Sequence, residues 1–183
     1  MNRSANLSTL ITACFFALLW ACPASASNRA FAKISIGGET IQGFSSQTTL
    51  GGVDLADYIE LKSFEYEMLR PGDRGDLSVS PFKIRKYVDA ATPLLAQALA
   101  RGQTVEVELK VFDEGPDGSD RVLATFKLSG ARLAAVRVWN APVPGSGREL
   151  CEEVQIGYST LTITHEPAPV TETEIDASGR ISG

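Results

Sequence analysis

The stretch from Phe82 to Gln103 constrains the chain most, because it reads as the one convincing helix amid strand and turn signals. Phe82 and Ile84 alternate with Lys83 and Arg85, the pattern of a half-buried strand. Thr92 stands where an N-cap belongs and Pro93 where a first helical residue can lack its N–H. Leu94, Leu95, Ala98 and Leu99 form an apolar stripe at helical spacing. Arg101 suits the C-terminal dipole and Gly102 the left-handed exit. With one helix available, its apolar stripe must be buried against a sheet.

Alternation supplies that sheet. Ala32, Ile34 and Ile36 share a face in Ala30–Ile36, and Gly37-Gly38 ends the strand. Ile59–Met68 changes phase near Ser63, which predicts a bulge. Thr104–Phe112 places Val105, Val107, Leu109 and Val111 inward. Gly115-Pro116-Asp117-Gly118 turns the chain into Arg121–Leu128, with Leu133–Trp139 as a further strand. Asn140–Arg148 reads as a mobile loop, and Glu152–Thr164 as one long strand with a phase slip. About seven strands at this spacing predict a mainly β fold, two packed antiparallel sheets forming a small barrel or sandwich with one flanking helix.

Three segments lie outside that pattern. Arg3, the apolar run Leu10–Ala21 and the small residues Ala24-Ser25-Ala26 make a three-part Sec signal, so residues 1–26 are expected to be a cleaved leader, with the product periplasmic or secreted. Leu19-Trp20-Ala21-Cys22 also approximates a lipoprotein box, with Trp20 as the misfit. The apolar run is shorter than the ~20 residues of a membrane span, so no stable span is expected once the leader is removed. The domain is expected over residues 27–167, and the polar residues 168–183 as a disordered tail. Glu39–Asp57, rich in Gly, Ser, Thr and Gln, reads as a long functional loop with a short hairpin at Gly51-Gly52.

Chemistry is sparse. A net charge of −5 argues against a nucleic-acid partner. His165 is the single histidine, so a transition-metal cluster or a catalytic triad lacks its parts. Once Cys14 and Cys22 leave with the leader, Cys151 is alone and reads as a buried small hydrophobe. A small hydrolase using Cys151 or His165 is the weakest reading. No catalytic residue, cofactor or metal site is indicated, and Arg74-Gly75-Asp76 is taken as a turn. Binding or assembly is the better class.

The run Arg85-Lys86-Tyr87-Val88-Asp89-Ala90-Ala91-Thr92-Pro93 resembles the Hcp family, the tube protein of type VI secretion systems. Ser146-Gly147-Arg148 followed by Glu152–Ile156 and Leu161–Ile163 is similar to that family's late loop and last strand, as is Phe31–Gly38 to its first. The resemblance spans roughly residues 30–166. It implies a homo-oligomer, a hexameric ring that stacks into a tube, with effector proteins or other type VI components as partners. Glu39–Asp57 then takes the place of the stacking loop, with Gln42, Phe44, Gln47, Thr48, Leu50 and Asp54 as interface residues and Asp117 beside them. The leader departs from the family, whose tube assembles in the cytoplasm. An exported monomeric or small-oligomer binding module with the same fold is the alternative.

Overall fold

The computed structural model describes residues 28–70, 77–143, 147–177 and 181–182. The expected leader and the Arg74-Gly75-Asp76 turn lie outside the described residues. In chain order the elements are β1 (Arg29–Ile36), β2 (Glu39–Ile41), β3 (Thr49–Leu50), β4 (Val53–Asp54), β5 (Ile59–Leu61), β6 (Ser63–Glu65), β7 (Met68–Leu69), β8 (Ser78–Val79) and β9 (Phe82–Tyr87). The helix α1 (Thr92–Arg101) follows, then β10 (Thr104–Glu114), β11 (Asp120–Val143), β12 (Gly147–Gly157), β13 (Thr160–His165), β14 (Thr171–Asp176) and β15 (Ile181–Ser182).

All the described strand pairs are antiparallel, and the strands form two packed layers with one flanking helix, the sandwich form of the expected fold class. β11 organises both layers. Its first half pairs with β10 on one side and β13 on the other, and its second half pairs with β12. The two halves were expected as separate strands. Gly130, at φ +58°, turns the backbone without breaking it, and register shifts near Val105 and Leu133 bend the ladder there. The phase change near Ser63 has an equally simple origin. Ile59–Leu61 pairs with β1, whereas Ser63–Glu65 pairs with β9, so the segment changes partners at Lys62.

The main core lies between the layers and holds Ile34, Ile59, Phe82, Ile84, Leu95, Leu109, Val154, Ile156 and Leu161, all fully buried. Phe82 stacks on both Phe64 and Tyr66, with Phe126 tilted against all three. A smaller cluster lies on the other face of β1 and β10. There Phe31 and Phe112 meet edge to face at 5.8 Å and are covered by Leu50, Leu55 and Tyr58.

Four expectations need correction. Thr92 is not the N-cap: the helix is capped from Ala91 without a side-chain bond, and the Thr92 hydroxyl is committed elsewhere. The expected mobile loop Asn140–Arg148 is mostly hairpin, since β11 and β12 stay in register from Asn140↔Leu150 to Val143↔Gly147. Glu152–Thr164 is two strands rather than one, parted at Tyr158-Ser159, and the phase slip marks that break. The residues expected as a disordered tail include β14, which pairs with β13 over Thr160–His165 and buries Ile175 to 3% exposure. The helix exit is as read. Gly102 is left-handed at φ +60°, and Gly102 N and Gln103 N donate to the Leu99 and Ala98 carbonyls.

Candidate assembly surface

The loop from Glu39 to Asp57 is held at three places. Its middle rests on the small cluster. Leu50 and Leu55, at 7% and 0% exposure, cover Phe31 and Phe112, and Gly51-Gly52 closes the expected hairpin between β3 and β4. Burying two leucines of this kind contributes about 1.5–3 kcal/mol each. Gly51 lies against the Asp120 carbonyl, where a Cβ would approach to 2.7 Å, so the hairpin sits beside the β10–β11 turn. The far end is tied by Lys33–Asp57 at 3.1 Å and by the Tyr58 hydroxyl donating to Glu108 at 2.5 Å.

The near end is tied to the start of α1 through Asp89. Its Oδ2 accepts from Phe44 N at 2.7 Å, while Oδ1 accepts from Ala91 N at 2.9 Å and from Lys86 Nζ at 2.6 Å. Lys86 is fully buried and also donates to the Tyr87 carbonyl at 3.0 Å. Its second acid is Glu152, likewise fully buried, at 3.1 Å. The Thr92 hydroxyl completes the cluster, accepting from Asp89 N and donating to Glu152 Oε2. Glu152 Oε1 has no hydrogen-bond partner among the described residues. The Lys-x-x-Asp-x-x-Thr run is thus a buried polar knot that fixes both the strand-to-helix turn and the loop lying over it. Gly43 makes this approach feasible, because a Cβ there would come within 2.5 Å of Asp89 Oδ2 and 2.9 Å of Ile59.

The expected interface residues divide by exposure. Gln42, Phe44, Thr48 and Asp54 are exposed, and Gln47 is half-buried. Phe44 remains 49% exposed although its ring meets Tyr87 edge to face at 6.2 Å. Asp54 accepts from Ala56 N at 2.9 Å. Asp117 is exposed on the β10–β11 turn, which Gly51 brings beside the hairpin, and it accepts from Ser119 N and Oγ. Leu50 departs from the expectation: its side chain is a core anchor of the loop, not a surface contact. The residues that hold the loop, Gly43, Lys86, Asp89 and Glu152, are not among the expected interface residues. Beyond the loop, Tyr87, Trp139 and Leu150 extend the exposed apolar surface around β9, β11 and β12. Lys62 lies over the Tyr87 ring at 4.1 Å and pairs with Glu149. Cys151 is buried to 3% exposure, with its sulfur 3.6 Å from Glu149. His165 is exposed at the end of β13. Among the described residues no group of three or more His, Cys, Asp and Glu is placed to hold a metal ion.

The Tyr58–Glu108 pair sits in a cavity of about 370 Å³ with Lys33, Ser35 and Lys127. Burial pushes the Glu108 carboxyl up, but the Tyr58 hydrogen bond and the Lys110 and Lys127 ammonium groups outweigh it and leave it below its ordinary range. Burial first, and the Glu108 carboxylate second, push the Tyr58 phenol far up. The signs are opposite. The Glu108 contribution is present above the ordinary carboxyl range and is lost as pH falls through the lower folded value. The Tyr58 contribution is present below about pH 10 and is lost as pH rises toward the higher folded value. Tyr58→Phe should therefore flatten both limbs of stability against pH. On the alkaline side it should remove up to about 1.4 kcal/mol per pH unit and leave the contribution of Tyr158, which is also raised by burial. Urea midpoints taken from acid to alkaline pH would check this. An alkaline limb unchanged by Tyr58→Phe would refute the assignment.

The family model described as "Type VI secretion system effector, Hcp" matches residues 33–165. The chain belongs to the Hcp family. It is thereby an Hcp-like structural component of the type VI secretion class. Solved Hcp structures share the fold. "Secreted protein Hcp3 from Pseudomonas aeruginosa" aligns at TM-score 0.66 and 22% identity, covering 82% of this chain and 98% of that one. Hcp1 from Salmonella typhimurium aligns at TM-score 0.63 and 18% identity, covering 85% and 99%. A further Hcp crystal structure aligns at TM-score 0.69 and 20% identity, covering 82% and 98%. No curated protein matches the chain. No helix among the described residues is long and apolar enough to cross a membrane.

Proposed function

We propose that this chain builds homohexameric rings whose Glu39–Asp57 loop mediates contact between rings, and that it works by geometry without catalysing a reaction. The observation that carries this reading is the Hcp family match across the sandwich, residues 33–165. The anchoring of the loop supports it. A loop clamped to α1, the small cluster and the β10–β11 turn presents Phe44, Gln42, Thr48 and Asp54 in one fixed arrangement, with Gln47 and Asp117 beside them, so little ordering entropy is lost on docking. Rings of this kind close through heterologous contacts, with one patch of each copy meeting a different patch of the next. Effector proteins or other type VI components are the partners such a ring would carry. Residues 1–26 mark the product for Sec export, followed by a periplasmic or secreted domain from residue 27 and a C-terminal extension after 167.

The test is the native mass of the chain lacking residues 1–26, measured at micromolar concentration by light scattering. A hexamer mass is expected. A monomer mass that holds across a concentration series would overturn the ring and favour the exported binding module. In that case the Phe44 loop would be the place to look for a ligand.

A further inference from the structure

We infer that β13 is a sheet edge competent to pair with β13 of a second copy of this chain, and that the C-terminal hairpin β14–β15 is the cover that prevents it. The family match ends at His165, the last residue of β13, so the hairpin lies beyond the matched residues.

The first ground is what β13 carries. Its register partners on β11 and β14 place Leu161 and Ile163 on the core side and Thr160, Thr162 and Thr164 on the other. Proteins usually protect a sheet edge with a very short strand, with proline, or with charged side chains. β13 has six residues, and from Thr160 to Thr164 it has neither a charge nor a proline. Threonine and the branched apolar residues are instead those that favour strand pairing.

The second ground is what covers it. β14 lies along the whole of β13, from Thr160↔Asp176 to His165↔Thr171. The protective devices that β13 lacks are concentrated here. Glu172, Glu174 and Asp176 are exposed along β14, Pro167 and Pro169 precede it, and β15 outside it has only two residues. The cover is held by its ladder with β13 and by the Ala177 amide, which donates to the Ser159 carbonyl at 2.8 Å, with one apolar anchor. Ile175 is the only residue of β14 buried in the core, and the Thr164 hydroxyl donates to Glu172 at 3.0 Å.

The third ground selects the occupant. Antiparallel pairing of a strand with its own copy is self-complementary about a two-fold axis, so the threonines meet threonines on one face and Leu161 and Ile163 meet their counterparts on the other, with no like charges opposed. A second copy of the uncovered β13 therefore fits.

The experiment compares the native mass of the chain from residue 27 to 183 with that of the chain ending at Glu166, at equal concentrations. Ending there keeps the hydrogen bond that the Glu166 amide donates to the Leu123 carbonyl. The shortened chain is expected to associate until each particle holds twice as many copies as the full-chain particle, after allowing for the shorter chain's lower mass. A synthetic peptide of residues 167–183, added in excess, is expected to reverse this. Thr162→Lys in the shortened chain should also abolish it, by placing like charges across the new pair. Ile175→Asp in the full chain releases the hairpin without shortening it and should reproduce the association. The inference is overturned if the shortened and Ile175→Asp chains stay folded by circular dichroism with the same number of copies per particle as the full chain. It is overturned equally if shortening unfolds the sheet, since the hairpin is then part of the core. The readout is a ratio of masses, so it stands whether the full chain is a hexamer or a monomer.

Discussion

Lys86→Met should destabilise the fold by about 3–5 kcal/mol, the loss expected when one partner of a buried ion pair is removed. Lys86 has no exposed surface, and it faces Asp89 at 2.6 Å and Glu152 at 3.1 Å, so the knot holds two acids against one base. Methionine fills the volume of the lysine stem but leaves both carboxylates in a dry site without their cation. In a domain of this size 1 kcal/mol moves the melting temperature by roughly 2–4 °C, so the shift should be of order 10 °C. The measurement is the urea midpoint at constant slope, because an unchanged slope keeps the comparison one of stability alone. Two companion variants separate charge from packing. Glu152→Gln retains the shape and leaves one acid facing one base, so it should cost much less. Lys86→Met with Glu152→Leu removes the buried Lys86–Glu152 pair and should recover part of the loss, as apolar replacements of buried ion pairs often do. A Lys86→Met midpoint equivalent to less than about 1 kcal/mol would mean that water reaches the site.

The polar knot leaves a trace in the residue pattern. Phe82 and Ile84 set the buried phase of β9, and the next residue in that phase is Lys86. Val154 and Ile156 set the buried phase of β12, and the preceding residue in that phase is Glu152. A lysine and a glutamate, each in line with a core face, suggest a buried pair, and the observed register Glu152↔Lys86 brings them together. Other features leave weaker traces. Thr92 followed by proline fits an N-cap as well as a hydroxyl serving Glu152, because both need the same residue at the same place. The 24 residues of β11 cannot be read as one strand, since Ser129-Gly130 has the composition of a turn, and only the pairing with β10, β12 and β13 carries the chain through it. Thr171–Asp176 is polar enough to suggest disorder. One apolar residue, Ile175, gives it a place in the core, and a single residue produces no periodic signal. The loop residues show the same limit. Leu50 and Phe44 are both large, apolar and near turns, yet one is buried and the other exposed, because Phe31 and Phe112 happen to lie beneath Leu50 alone.

Gly43→Ala should separate the loop from the start of α1, and so test the fold and the proposed assembly together. Gly43 is not held by a left-handed backbone; it is held by space. An added methyl group would lie 2.5 Å from Asp89 Oδ2 and 2.9 and 3.1 Å from two carbons of Ile59, distances that require something to move. Ile59 is in the main core and Asp89 is fixed by Lys86 and Ala91 N, so the loop is what should give way. Overpacking together with a lost charge-assisted bond at Phe44 N should cost about 1–3 kcal/mol. Hydrogen exchange reads the displacement directly, as faster exchange of the Phe44 amide and of the Glu60 amide that donates to the Phe44 carbonyl, with little change at Lys62, whose amide donates to the Arg85 carbonyl on β9. Gly52→Ala is the control. It introduces a side chain at φ +77° with nothing within 4 Å, so it strains the hairpin by a comparable 1–2 kcal/mol but leaves the Asp89 tether alone. If the loop mediates contact between rings, Gly43→Ala should abolish association beyond the single ring while Gly52→Ala retains it. Equal loss in both variants would trace the effect to stability rather than to the position of Phe44. Equal retention would mean that the contacts lie elsewhere, with the exposed Trp139 and Leu150 on β11 and β12 as the next residues to truncate.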